Sequence, residues 1–234
     1  MTGAVSDESS SETAHLDARC IWIIDGGPNA PRRLPPNEPS CVIAVDRGLA
    51  HALRSGLRPH VVVGDFDSVD PGMLARAGEQ WPDLILRRHP PDKAHSDLDL
   101  ALSFAWGLDP DQIAVVSGAG GRIDHLLTSV GLLARPCYAA LRLVAYVSDS
   151  VVRAATAAMA MELNANDGNL LTLLAVGGTA RVQTTGLRWN LSAAMPLRSA
   201  ASLGLSNEFI EPTAEVRVAA GTVLAVQTHG KSLS

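Results

Sequence analysis

Lysine is almost missing from this chain: of 19 basic residues, only Lys93 and Lys231 are lysines. The net charge is −5 and no stretch concentrates arginine, so the electrostatic footprint of a nucleic-acid binder is missing too. Cysteine is scarce. Cys20, Cys41 and Cys137 are odd in number, widely spaced and without a C-x-x-C pair, which argues against a disulfide framework or a zinc site. No apolar stretch approaches the roughly 20 residues that span a bilayer. Residues 1–17 are polar and acidic (SDESSSET) and lack the apolar centre of a secretion signal. These absences predict a cytoplasmic protein without nucleic-acid or membrane partners, led by a disordered tail over 1–17.

What is present is enough to build a core: 234 residues, 47% of them hydrophobic, for one large domain or two small ones. Short continuous apolar runs at 21–24, 42–45, 61–63, 84–86, 113–116 and 141–147 alternate with helix-like segments. Such runs suit strands covered on both faces. Asp46 is expected to cap one helix and Asp70, followed by Pro71, a second. Ser96-x-x-Asp99 opens a third, in which Leu98, Ala101, Leu102 and Ala105 share a face, and 124–133 reads as a fourth. Strand–helix alternation of this kind implies an α/β domain with a parallel, Rossmann-like sheet over 18–147. Beyond it the pattern changes. The alanine-rich stretch 154–161 reads as a helix. The segments 170–176, 180–184, 215–219 and 223–228, separated by glycines, predict an all-β sandwich over 148–234.

Three loops, each after a strand, carry residues suited to phosphate or metal. Gly64-Asp65-Phe66-Asp67-Ser68 follows 61–63, and strand-like spacing would aim Asp65 and Asp67 the same way, towards one hard cation. A turn with two capping aspartates explains the same residues, but like charges held close are costly without a cation between them. Asp92-Lys93-Ala94-His95-Ser96-Asp97 follows 84–86 and would add a carboxylate and a lysine for a magnesium-bound polyphosphate, beside a plain helix-start role for Ser96 and Asp97. Gly118 to His125 (GAGGRIDH) offers close backbone approach, a helix start and the forked cation of Arg122. It is neither G-x-G-x-x-G nor a Walker loop, and a tight turn also fits it.

Taken together, GDFDS (64–68), DKAHSDLDLAL (92–102), GGRIDHLLTSVGLL (120–133), GLRWNL (186–191) and GLSNE (204–208) resemble the thiamin pyrophosphokinase family from about residue 20 to 230. The resemblance implies Mg2+-dependent transfer of diphosphate from ATP to the hydroxyl of thiamin, with release of AMP. It also implies a homodimer with thiamin at the subunit interface. Asp65, Asp67 and Asp97 fall on the family's magnesium acids. Asp97 or Asp124 would act catalytically, and Asp46, Ser68, Lys93, Ser96, Arg122 and His125 would line the nucleotide. Trp189, Ser206 and Asn207 fall on the thiamin-side motifs, where an aromatic face suits a flat cation.

Two positions depart from that pattern. Ala94 stands where the family usually has an acid, and Arg47 follows Asp46 where it has glycine. Two other functions remain open from the residues. One is a haloacid-dehalogenase-like phosphatase with Asp65 as nucleophile. The other is a thiamin or nucleotide sensor that has lost catalysis, for which Ala94 would be the first sign.

Overall fold

The computed structural model describes residue 13 and residues 16–139 and 143–230. The expected tail over 1–17 therefore lies almost wholly outside the described residues, as do the first two residues of the run at 141–147. The fold is mixed α/β, and the chain clusters into two compact units. One comprises Met1–Gly26 and Pro36–Ile113, the other Gly27–Pro35 and Ala114–Ser234.

In the first unit, β1 (Cys20–Ile24), β2 (Cys41–Val45), β3 (Val61–Gly64) and β4 (Ile85–Arg88) lie side by side in that order, and every pairing is parallel. The apolar runs of β1, β2 and β3 are buried as their continuity predicts, with Ile21, Ile23, Ile43 and Val61 fully shielded from water, whereas in β4 Ile85 is buried and Leu86 exposed. Helix α1 (Gly48–Arg54) connects β2 to β3, α2 (Pro71–Gln80) connects β3 to β4, and α3 (Asp97–Gly107) follows β4. The expected face of α3 is the buried one, with Ala101, Leu102 and Ala105 at 0% exposure, and it packs on β1 to β3. Asp70 caps α2 by accepting the Gly72 N–H at 2.9 Å, and Ser96 caps α3 by accepting the Asp99 N–H.

Asp46 does not cap α1. The residue at that position is Arg47, which makes no side-chain cap, while Asp46 takes a left-handed φ of 45° and reaches across to accept the Phe66 N–H at 3.3 Å. Packing explains the choice. Gly48 brings α1 against β1 so closely that a Cβ there would sit 1.9 Å from the Ile24 carbonyl oxygen.

In the second unit, β5 (Gln112–Ser117), which begins at the edge of the first, pairs in parallel with β6 (Val144–Val147) through residues 114–117. The remaining strands are β7 (Ser150–Thr156), β8 (Ala160–Asn164), β9 (Leu170–Thr185), β10 (Pro196–Arg198), β11 (Asn207–Glu208) and β12 (Thr213–Thr228). All their pairings are antiparallel: β6 to β7, β7 to β12, β12 to β9 and to β8, and β9 to β10 and β11. Helix α4 (Ile123–Leu132) and the single turn α5 (Pro136–Ala139) lie between β5 and β6.

Two expectations fail here. The stretch 154–161 is not helical: it is the end of β7, a turn with Ala158 at φ 69°, and the start of β8. Cross-strand pairing with β12, Ala155 against Val223 and Met161 against Val216, outweighs the helix propensity of alanine. The segments 170–176 and 180–184, and likewise 215–219 and 223–228, are not separate strands. Each pair is one 16-residue strand, and the ladder between β9 and β12 shifts register between Val218 and Thr222. The glycines bend these strands and do not end them. Leu171, Leu173, Val182, Val216, Val218 and Val223 fill the core of this unit.

Candidate functional site

The acidic loops of the first unit gather at the carboxyl ends of its strands. Gly64 ends β3 at φ 153°, and a Cβ there would meet the Asp46 carboxylate at 1.8 Å, so only glycine lets that side chain lie against the strand end. Beyond it the chain turns. Phe66 takes φ 66°, and Asp65 Oδ1 accepts the Asp67 N–H at 3.0 Å. Asp65 and Asp67 thus sit in a turn, with their side chains near enough to interact. The hydrogen bond from Asp67 is also the first cause holding the Asp65 carboxyl below its usual range.

Asp46 is perturbed the other way. Burial pushes its acid up to about 6, helped by the nearby Asp97 and Asp65 carboxylates and opposed by the Phe66 N–H and Lys93. Lys93 Nζ lies 2.8 Å from Asp97 Oδ1, with 14% and 19% of the two side chains exposed. That approach is an ion pair and not an aligned hydrogen bond: the buried Asp97 Oδ1 has no hydrogen-bond donor. Ser68 lies in the same turn, half-buried, whereas Ser96 is occupied as the cap of α3.

Among the described residues no three His, Cys, Asp or Glu side chains form a cluster that would by itself hold a metal ion. Magnesium seldom needs one. It is typically held by one or two carboxylates, with water and substrate phosphates completing its shell. Three mutually repelling acids, one with a buried oxygen lacking a donor, and a single lysine are a donor set that fits a magnesium–polyphosphate.

Residues the sequence reading passed over join this group. Arg88, at the end of β4, stacks its guanidinium 4.8 Å over the Phe66 ring. His89 beside it is held below its usual range by burial and by Lys93. His95 bonds the buried Asp99 at 2.9 Å. For Arg88 and His89 the signal was available in position, at the end of a strand, and His95 stands within the second motif.

In the second unit, the glycine-rich loop leaves β5 with Ala119, Gly120 and Gly121 all in the left-handed region, at φ 58°, 88° and 73°. For Ala119 that conformation costs about 1–2 kcal/mol. The loop delivers Arg122, whose Nη2 lies 2.6 Å from Asp124 Oδ2. This pairing drops the Asp124 acid to about 2. Arg122, Asp124 and His125 are all exposed, and Arg122 makes no side-chain cap, so the first N–H groups of α4 face no capping side chain. Such a helix start suits an anion.

The thiamin-side candidates also converge in this unit. The Trp189 N–H donates to Asn207 Oδ1 at 3.1 Å, and Asn207 Nδ2 donates to the Trp189 carbonyl at 2.7 Å. Buried Asn207 is therefore the bracket that holds a half-exposed Trp189. Arg188, also passed over, stacks 5.0 Å from the Trp189 ring and is neutralised by buried Glu208 at 3.0 Å. Ser206, exposed with φ 53°, hangs from β9 through its N–H to Thr172 Oγ1.

Comparison with known proteins matches two models. Residues 36–145 match "Thiamin pyrophosphokinase, catalytic domain", and residues 159–223 match "Thiamin pyrophosphokinase, vitamin B1 binding domain". The chain is 35% identical to the thiamine pyrophosphokinase of Bacillus subtilis over 121 residues, 49% of this chain and 54% of that one. It is 27% identical to thiamine pyrophosphokinase 1 of rice (Oryza sativa subsp. japonica) over 189 residues, 74% of this chain and 66% of that one. The chain thus spans about half to two thirds of the length of these curated relatives. The crystal structure of the Bacillus subtilis thiamine pyrophosphokinase superposes over 91% of this chain and 100% of that one, at TM-score 0.78 and 22% identity, a likeness of fold. Among the described residues no helix is long and apolar enough to cross a membrane.

Proposed function

The chain belongs to the thiamin pyrophosphokinase family, and from that membership we propose that it transfers diphosphate from ATP to the hydroxyl of thiamin, giving thiamin diphosphate and AMP. The observation that carries the proposal is the company Asp97 keeps: its carboxylate is paired with Lys93 at 2.8 Å and lies near Asp46, which in turn is near Asp65, so that one lysine serves three acids. The whole arrangement is charge awaiting countercharge.

In the reaction, the thiamin hydroxyl oxygen bonds to the β-phosphorus, the bond from that phosphorus to the α,β-bridging oxygen breaks, and the oxygen leaves with AMP. Asp65, Asp67 and Asp97 are the proposed holders of Mg2+, which when bound neutralises phosphate oxygens. Lys93, Arg122, Asp46, Ser68, Ser96 and His125 are proposed to line the nucleotide, with Arg122 supplying the forked donor that fits phosphate. The hydroxyl proton goes to Asp97 or Asp124, each of which is paired with a cation, Asp97 with Lys93 and Asp124 with Arg122.

Trp189, bracketed by Asn207, offers its ring to the thiamin cation, and Glu208 offsets the charge of Arg188 that would otherwise repel it. Ser206 is proposed to bond the aminopyrimidine. In domain terms, we assign nucleotide and metal to an α/β catalytic domain over 18–147. Thiamin is assigned to a β-sandwich over 148–234.

A homodimer with the thiamin site at the subunit interface belongs to the same reading, as does work in the cytoplasm. In support of a dimer, Ile123 and Leu127, one turn apart on α4, are each 66% exposed, an apolar stripe suited to a second copy. The experiment is AMP release from Mg-ATP with and without thiamin, on wild type and Asp97→Ala. Thiamin-dependent AMP that disappears in the variant is expected. Thiamin binding without AMP would leave a sensor, and thiamin-independent phosphate release a phosphatase.

A further inference from the structure

The loop between β1 and β2 breaks with its neighbours in sequence. Gly27–Pro35 clusters with the second unit, whereas the strands before and after it in sequence belong to the first. Two sets of contacts hold it there. At its tip, Asn29 Nδ2 donates to the Ala119 carbonyl at 3.1 Å. The Asn29 main chain lies so close to Gly118 that a Cβ there would meet the Asn29 oxygen at 2.0 Å, and Pro28 covers Gly121. The tip is therefore moulded onto the three left-handed residues that carry the chain to Arg122.

At its far end, Arg33 donates to both oxygen types of Asp167, with Nη2 2.5 Å from Oδ1 and Nη1 3.0 Å from the main-chain carbonyl. Arg153 on β7 takes the other carboxylate oxygen at 2.7 Å, and its remaining guanidinium nitrogen donates to the fully buried Gln227 of β12 at 2.9 Å. The Arg33 guanidinium also stacks 5.7 Å from the Tyr146 ring. Three charged side chains, each between a fifth and a third exposed, thus form one closed network. Partly buried ions that share several hydrogen bonds in this way fix geometry more than they add stability.

We propose that Gly27–Pro35 is a brace, and that Asn29, Arg33 and Asp167 are positioning residues that hold the glycine-rich loop in its nucleotide-binding shape. The inference rests on the reading of that loop as a polyphosphate site. With the anchor released, the tip withdraws, Ala119 relaxes out of its left-handed conformation, and Arg122 loses its placement against phosphate.

The test uses the full chain with Arg33→Gln, Arg33→Lys, Asp167→Asn and Asn29→Ala, read in two ways. Hydrogen exchange of residues 118–122 should quicken by about tenfold in Arg33→Gln, Asp167→Asn and Asn29→Ala, and by less in Arg33→Lys. KM for Mg-ATP should rise by about tenfold while kcat and KM for thiamin stay within about twofold. A fall in kcat or melting temperature with KM for ATP unchanged would mark a purely structural role and overturn the proposal, as would unchanged exchange at 118–122. Should the anchor variants fail to fold, Asn29→Ala, whose contact is exposed, decides. If wild type releases no AMP, the diphosphate-transfer reading falls. The exchange experiment, repeated with and without the non-hydrolysable analogue AMP-PNP, then judges the brace alone: analogue protection of 118–122 that Asn29→Ala abolishes upholds it, and protection unchanged by the variant refutes it.

Discussion

Replacing Asp46 by Asn removes a charge while keeping the shape of the side chain and an acceptor for the Phe66 N–H. Burial first, and the Asp97 carboxylate second, raise the Asp46 acid from an ordinary 3.8 to about 6. The folded protein therefore binds this proton more tightly than the unfolded chain does. Between about pH 4 and 6 the native state carries the extra proton, so stability falls as pH rises through that window and stays low above it. At about 1.36 kcal/mol per pH unit the gap comes to about 3 kcal/mol. Asp46 is only partly buried, and solvent screening reduces this to about 1–2 kcal/mol. For a chain of 234 residues each kcal/mol moves Tm by about 2–4 °C. Asp46→Asn should thus melt about 2–8 °C above wild type at pH 7.5 in the presence of a chelator, and level with it at pH 4. Scanning fluorimetry at the two pH values makes the comparison. A gain of equal size at pH 4, or no gain at pH 7.5, would refute the reasoning.

Gly48→Ala places a methyl group 1.9 Å from the Ile24 carbonyl oxygen and should cost about 3 kcal/mol or more in urea unfolding, because backbone on both sides must move. Arg122→Gln should let the Asp124 carboxyl climb from about 2 into the ordinary carboxylate range, visible by NMR titration. The same change should raise KM for Mg-ATP by about tenfold or more through loss of a phosphate donor, with kcat little changed. Trp189→Ala should raise KM for thiamin by about 2- to 30-fold, the range of a cation–π contact, and leave KM for ATP alone. Steady-state kinetics on both substrates checks it.

The parallel strands of the first unit were legible because each is a continuous apolar run with caps and glycines at its ends, and Asp70 and Ser96 cap as their spacing says. What escaped was anything decided by partners distant in sequence. Alanines at 154–155 read as helix until β12 is laid beside them. Gly177-Gly178 and Gly221 read as breaks, because a bulge that bends a long strand and a turn that ends a short one use the same residue. In the candidate site, the residue types were visible but their attitudes were not. Asp46 looked like a cap and is a partly buried acceptor, and Asp65, read as one of a pair of carboxylates, also accepts the Asp67 N–H. Arg33, Asp167 and Arg153 belong to no motif. Only the fold brings together charges 134 and 14 residues apart.

Of all the strands, β12 comes last along the chain, and it is also the middle one, lying between β7 and β9 over residues 222–227. During synthesis, therefore, both neighbours emerge from the ribosome long before the strand that joins them. For that interval each presents a long edge of unpaired N–H and C=O groups, several of whose side chains are as apolar as Leu171 and Val152. The nascent second unit has no way to close by local steps. Its two halves are joined only once β12 has been made.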